Sequence, residues 1–192
     1  QSGEFLIVAT TRPETLLGDT ALAVHPDDER YKALIGRKAR VPFVDREIPI
    51  IADSYVEKTF GSGVVKITPA HDTNDYELGQ KHGLDIIDML NADGTVSEEG
   101  QFYVGKDRFE ARKLIIQDLR DRDLLVDIEE MPNKVGYSER TDAVIEPRLS
   151  LQWFCKMDEL SKPALENVMN DNIQFHPAKF KNSYAHWMEN IR

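Results

Sequence analysis

Lys66 and Thr68 lie two apart in Val64-Val-Lys-Ile-Thr68, a run that reads as a strand, so both side chains share one face. Pro69 halts the run. Asp72 and Asp75 follow, three apart, at the start of a helix expected over roughly 74–82, with Gly83 as its stop. A lysine, a hydroxyl and two carboxylates therefore converge on one turn. Carboxylates placed there can hold a substrate ammonium, while hydroxyls and backbone N–H groups position water or polarise a carbonyl. Asp72 has a plainer reading as the helix cap, and Asp75 as a favourable charge at the helix start. One cap suffices, which leaves Asp75 as the stronger functional candidate.

The second candidate is Thr10-Thr11-Arg12-Pro13-Glu14-Thr15. A strand over residues 5–11 that ends in two hydroxyls and a guanidinium offers donors and acceptors at a sheet rim, and Pro13 turns the backbone away behind them. The alternative is a strand end whose threonines only cap the turn.

Other chemistries fail for want of residues. His71-Asp72 invites a metal reading, but His25, His82, His176 and His186 form no ligand spacing, so no metal is expected. Cys155 is the single cysteine, which excludes an internal disulfide and paired-cysteine zinc sites, including the zinc deaminase pattern. There is no phosphate-binding Gly-x-x-x-x-Gly-Lys loop and no Gly-x-Ser-x-Gly elbow.

The elements that must position these residues are short. Beyond the two runs above, strands are expected at Ala21–His25, at Arg40–Val44 and Ile48–Ile51 as a hairpin, and at 124–128. Asp27–Leu34 reads as a short helix closed by Gly36. Asp107 opens the clearest helix, with Glu110 completing a capping box and Phe109, Ile115, Ile116 and Leu119 as its apolar face. Many short strands with two or three flanking helices predict an α+β domain around a barrel-like, curved sheet.

The 192 residues carry 24 basic and 34 acidic groups, a net charge of −10, in a composition that is 41% hydrophobic and globular in kind. Residues 51–100 alone hold 3 basic against 10 acidic groups, which argues against coating a nucleic acid non-specifically. The longest apolar run, Phe5–Ala9, cannot span a bilayer, so no membrane partner is expected. Past Pro147 the charge balance turns slightly basic and both tryptophans appear, so a boundary is placed near residue 140: residues 1–140 as the main domain and 141–192 as a tail. The chain does not open with methionine, and an excised piece of a larger protein is the expectation.

Taken together, Ala9-Thr-Thr-Arg-Pro-Glu-Thr15, Gly18-Asp-Thr-Ala-Leu-Ala-Val-His-Pro26 and Gly61-Ser-Gly-Val-Val-Lys-Ile-Thr-Pro-Ala-His-Asp72 closely resemble the editing domain inserted into class I aminoacyl-tRNA synthetases. Lys66-Ile-Thr-Pro-Ala-His-Asp72 is similar to the valyl branch, whereas the isoleucyl branch has Trp in place of Glu14. Thr73 stands where proline is commoner and Ser62 where threonine is. Val144-Ile-Glu-Pro147, Gln152-Trp-Phe154 and His186-Trp-Met-Glu-Asn-Ile-Arg192 resemble the stretch re-entering the synthetase's catalytic domain. The His-Ile-Gly-His and Lys-Met-Ser-Lys-Ser signatures of that catalytic domain are missing.

The resemblance implies a cytoplasmic function, post-transfer editing by hydrolysis of mischarged threonyl-tRNA(Val). A hydrophobic pocket cannot strongly reject an isostere that merely adds a hydroxyl, a problem for which the valyl enzyme is itself the standard worked case. By resemblance, Asp75 binds the α-ammonium, while Thr68 and Asp72 line the side-chain pocket with Phe60 packed against it. Lys66, Thr11 and Arg12 hold the 3′-terminal adenosine and the ester, supported by Thr10. Asp75, Lys66 and Thr11 are thus the expected catalytic residues. Editing needs no cofactor; ATP and Mg belong to the parent ligase, whose catalytic domain is the expected protein partner. The competing expectation is a non-catalytic module that positions the tRNA acceptor end.

Overall fold

The computed structural model describes residues 5–191. The chain divides into two compact units, Gln1–Leu149 and Ser150–Arg192. The first unit thus includes residues 141–149, which the sequence reading assigns to the tail.

The first unit is built on four short strands, β1 (Ala21–Val24), β2 (Lys38–Arg40), β3 (Glu47–Ala52) and β4 (Val64–Ile67), in the order β2-β3-β1-β4. β1 runs parallel to β3 and antiparallel to β4, and β2 pairs with β3 as a hairpin, with Arg40 opposite Glu47; its first strand precedes the expected Arg40–Val44, of which only Arg40 is in the ladder. The fold is α+β as predicted, but the sheet is open. Barrel closure needs more and longer strands than four of three to six residues. Two of the runs counted toward a barrel are not strands at all. Residues 5–10 have no ladder partner among the described residues, Phe5 and Ile7 standing in solvent, and residues 124–128 are irregular with Val126 and Ile128 exposed.

Period-two alternation explains why β1 is buried throughout. Leu22 and Val24 join the larger core with Leu16, Leu17, Ile50, Met89, Leu90 and Val96, while Ala21 and Ala23 face Val56, Ile67 and Leu78 on the other side. Helix α1 (Thr73–His82) contributes Leu78 to the second cluster and ends at Gly83, whose φ of 62° completes the left-handed stop that glycine permits. Helix α2 (Arg108–Asp121) contributes Ala111 and Ile115 to the first, with Leu119 packed beside them. Its apolar stripe therefore differs from the expected one: Phe109 is exposed beneath the guanidinium groups of Arg108 and Arg112. Asp107 caps α2 through the Phe109 N–H, but Glu110 completes no box and pairs instead with Lys106 at 2.8 Å. The segment Asp27–Leu34 forms turns and a single 3₁₀ turn, Lys32–Leu34, before Gly36.

The second unit is a helical hairpin, α3 (Met157–Met169) and α4 (Phe180–Asn190). Phe175 packs on Tyr184 with ring centroids 5.2 Å apart, and Lys181 pairs with Asp171 at 2.6 Å.

Candidate functional site

A 3₁₀ helix, Pro13–Gly18, delivers the chain from the exposed Thr10-Thr11 segment into β1 and buries Glu14, Thr15 and, just beyond it, Asp19. The β1–β4 ladder sets Lys66 opposite Leu22, on the same side as these groups. The Lys66 ammonium donates to Thr15 Oγ1 at 2.9 Å, to Asp19 Oδ1 at 2.9 Å and to Thr68 Oγ1 at 2.6 Å. All three of its donors are engaged. Thr68 in turn donates its hydroxyl to Asp19 at 2.6 Å, and Thr15 donates its own to the Arg12 carbonyl at 3.0 Å. Asp19, Lys66, Thr15 and Thr68 are all buried, and the Lys66 ammonium, both hydroxyls and Asp19 Oδ1 find their partners within the cluster and its Arg12 neighbour. Burial pushes the Asp19 carboxyl up, against the opposing pull of Lys66, the Thr68 hydroxyl and Arg46.

Asp75 sits one turn into α1 and reaches back to the end of β4. Its Oδ2 accepts the Thr68 N–H at 2.8 Å. Asp72 Oδ1 accepts from the N–H groups of Asn74 and Asp75 at 2.8 and 3.1 Å, so the capping role read from the sequence holds in full. The helix can lie this close to the strand exit because position 79 is glycine: a Cβ there would meet Pro69 Cγ at 2.9 Å. Burial pushes the Asp75 carboxyl up to about 6; the Thr68 N–H and Lys66 lower it, and the charges of Asp72 and Asp19 raise it.

Arg12 links this cluster to a second one. Its Nε donates to Glu14 at 3.3 Å, its Nη1 to the His71 carbonyl at 2.9 Å, and its Nη2 to Glu146. Glu14, fully buried, also takes a two-pronged ion pair from Arg112 at 2.6 and 2.7 Å. His71 is buried with Nε2 accepting the Met89 N–H at 3.1 Å, while Nδ1 faces Glu146 at 3.7 Å and makes no hydrogen bond. Burial would raise the Glu146 carboxyl, but the neighbouring His71, Arg12 and Arg108 hold it below its usual value.

The sequence-predicted residues thus separate into groups. Lys66 and Asp75 each meet Thr68, one at its hydroxyl and the other at its N–H, and Arg12 joins them through Thr15. Thr10 accepts the Arg12 N–H at 3.0 Å, as a support would. Thr11 is exposed and, among the described residues, its side chain makes no hydrogen bond; Phe60 is 70% exposed and joins neither buried cluster. Asp19, Glu14, His71 and Glu146 went unread as site residues. Asp19 had one available signal, an acid directly before a strand whose neighbour carries Lys66, but only the register shows that the two meet.

The stretch 27–115 matches the family model described as "Leucyl-tRNA synthetase, editing domain". Over nearly its whole length the chain is similar to valine–tRNA ligases: 58% identical over 98% of this chain to that of Porphyromonas gingivalis, 56% over 98% to that of Parabacteroides distasonis, and 58% over 98% to that of Geobacillus stearothermophilus. The chain is thus similar, over nearly its whole length, to one segment of the valine–tRNA ligases. It spans 22% of the length of these curated relatives, so the family match speaks for this segment. One solved structure, "The crystal structure of GlLeuRS-CP1", aligns with 66% of this chain and 83% of its own at 12% identity and a TM-score of 0.46. The two buried clusters bring together Arg12, Glu14 and Thr15 of the motif at 10–15 with Lys66, Thr68 and His71 of the motif at 61–75, and add Asp19, Arg112 and Glu146 from outside both. No described helix is long and apolar enough to cross a membrane, and no described group of three or more His, Cys, Asp or Glu side chains is arranged to hold a metal ion.

Proposed function

We propose that this segment hydrolyses the ester of threonyl-tRNA(Val), releasing threonine and intact tRNA. The observation that carries the reading is Asp75: a half-buried carboxylate fixed by the Thr68 N–H, at a turn flanked by Thr68 and Asp72, is suited to an α-ammonium. Asp72 lines the side-chain pocket with the buried Thr68 behind it, and Phe60 packs against the bound side chain. Threonine's hydroxyl finds polar partners there, whereas valine would leave them unsatisfied. Arg12 has two N–H groups beyond the three it uses within the fold, and with Thr11 it holds the terminal adenosine and the ester. Thr10 supports Arg12 through its backbone.

Water attacks the ester carbonyl carbon, the bond to the ribose oxygen breaks, and that oxygen takes up a proton as the threonine carboxylate leaves. Neither an acyl-enzyme nor a cofactor enters this scheme. Lys66, with every donor engaged inside the protein, acts on the substrate through Thr15 and Thr68 and not by direct contact. In the parent synthetase, a cytoplasmic ligase using ATP and Mg, the remaining chain supplies the grip on tRNA(Val), and the acidic segment 51–100 receives only the acceptor end.

The deciding experiment is deacylation of threonyl-tRNA(Val) and valyl-tRNA(Val) by the chain and by Asp75→Ala. Loss of threonine alone, abolished in the variant and unchanged by chelator, supports the reading. A chain that binds the acceptor end yet hydrolyses neither ester, even within the full-length synthetase, would make it a positioning module.

A further inference from the structure

Asp19 is a fully buried carboxylate that the scheme above does not use, and its surroundings give it more to do than fill the core. Its Oδ1 accepts from both Lys66 Nζ and Thr68 Oγ1. From that shared pair two arms lead outward. Along one, Lys66 holds Thr15, whose hydroxyl donates to the Arg12 carbonyl. Along the other, Lys66 and Asp19 pin the Thr68 side chain, while the Thr68 N–H anchors Asp75. Arg12 and Asp75 lie 63 positions apart and on different elements; one polar path between them runs through this pair, beside the bond from Arg12 Nη1 to the His71 carbonyl in the turn before α1.

We infer that Asp19, paired with Lys66, is a positioning residue that sets Arg12 in register with Asp75, so that the ester and the α-ammonium of one substrate are held together. This deepens the editing proposal and rests on it. Neither Asp19 nor Lys66 needs to touch substrate: both are buried, and the donors of Lys66 are already committed. The bonds are directional and few, so a small displacement of either arm separates the two binding groups, and misplacement by about 1 Å costs about a hundredfold in rate. The charged groups around this arrangement are Lys66 and Arg46 toward Asp19, and Lys66, Asp19 and the adjacent Asp72 toward Asp75.

The test compares Asp19→Asn, Lys66→Met and the two combined, reading thermal midpoint and the pH profile of kcat/KM on threonyl-tRNA(Val). Asparagine keeps an acceptor for Thr68 but leaves the Lys66 charge without its partner. Asp19→Asn is expected to slow deacylation about a hundredfold and to move the acid limb of the profile to lower pH, because Asp75 then feels Lys66 unopposed. The combined variant removes both buried charges, so its thermal midpoint recovers while its rate stays low. If Asp19→Asn does not fold, the combined variant alone decides. Recovery of rate along with stability, or a wild-type rate and acid limb in Asp19→Asn, overturns the inference and leaves the pair a core ion pair. An inert wild-type chain counts against the editing reading instead. The inference is then read by NMR from the Thr68 amide, whose exchange protection falls in the combined variant if the pair positions that arm and stays unchanged if it does not.

Discussion

Thr68 donates its backbone N–H to Asp75 at 2.8 Å, across the turn that joins the end of β4 to the first turn of α1. One residue thus faces both ways, its side chain bound into the Lys66–Asp19 pair and its backbone holding the carboxylate assigned to the substrate ammonium. The position of Asp75 is therefore a property of the sheet as much as of its own helix, and most of the expectations below follow from that.

Asp75 links activity and stability with opposite signs. Its folded pKa, about 6, lies above the ordinary 3.8, so the folded chain binds this proton more tightly than the unfolded chain does. Its stabilising contribution is complete below 3.8 and is lost as pH rises through about 6. Ammonium binding needs the ionised form, so kcat/KM is expected to rise through the same interval. Asp75→Asn should abolish deacylation while raising stability at neutral pH by about 1 kcal/mol, the shift being discounted for partial exposure. An active Asp75→Asn variant, or one less stable than wild type at neutral pH, contradicts this.

Asp72 holds two N–H groups at the start of α1. Asp72→Ala is expected to cost about 1 kcal/mol, and Asp72→Ser to restore most of it. Whatever rate defect persists in the serine variant measures contact between Asp72 and substrate; thermal unfolding beside deacylation separates the two roles.

Gly79→Ala places a Cβ 2.9 Å from the Pro69 ring, in a contact between backbone-fixed groups. Alanine's better helix propensity cannot offset that overlap, and a loss of about 1–3 kcal/mol is expected. Because relief moves α1 away from β4, deacylation should fall alongside stability, unlike at an ordinary helix surface position. Unfolding in urea and single-turnover deacylation of the same sample check both halves.

Asp53 joins the end of β3 to the end of α1 by accepting from Lys81 at 2.7 Å and meeting His82 Nε2 at 2.6 Å. Burial opposes its charge, but Lys81, His82 and the Tyr55 N–H outweigh burial and hold the carboxyl well below its usual range. A depressed folded pKa gives stability that is complete above the ordinary value of 3.8 and is lost as pH falls below it. Asp53→Asn should therefore flatten the acid side of the stability curve. Equal acid slopes for variant and wild type in an unfolding series would show that this contact contributes nothing.

Local signals sufficed where one short segment decides the outcome. The cap at Asp72 and the stop at Gly83 are set by neighbours in sequence and stand in the structure, as does a hairpin whose first strand lies earlier, at Lys38–Arg40, than the expected Arg40–Val44. Motif wording also carried the family, which the valine–tRNA ligase relatives bear out. Reading failed where a segment's fate depends on distant partners. Phe5–Thr11 has strand-like residues but, among the described residues, no strand bonds to it, so its apolar content predicted a ladder that is not seen there. Phe109 looked like core because helical spacing places it near Ile116, yet α2 turns Ala111 and Ile115 to the larger core, beside the 3₁₀ helix Pro13–Gly18. The open sheet and the pairing of Asp19 with Lys66 rest on strand order and register. Those are fixed by long-range hydrogen bonds and by which face of β4 is covered, and no window of sequence contains both partners.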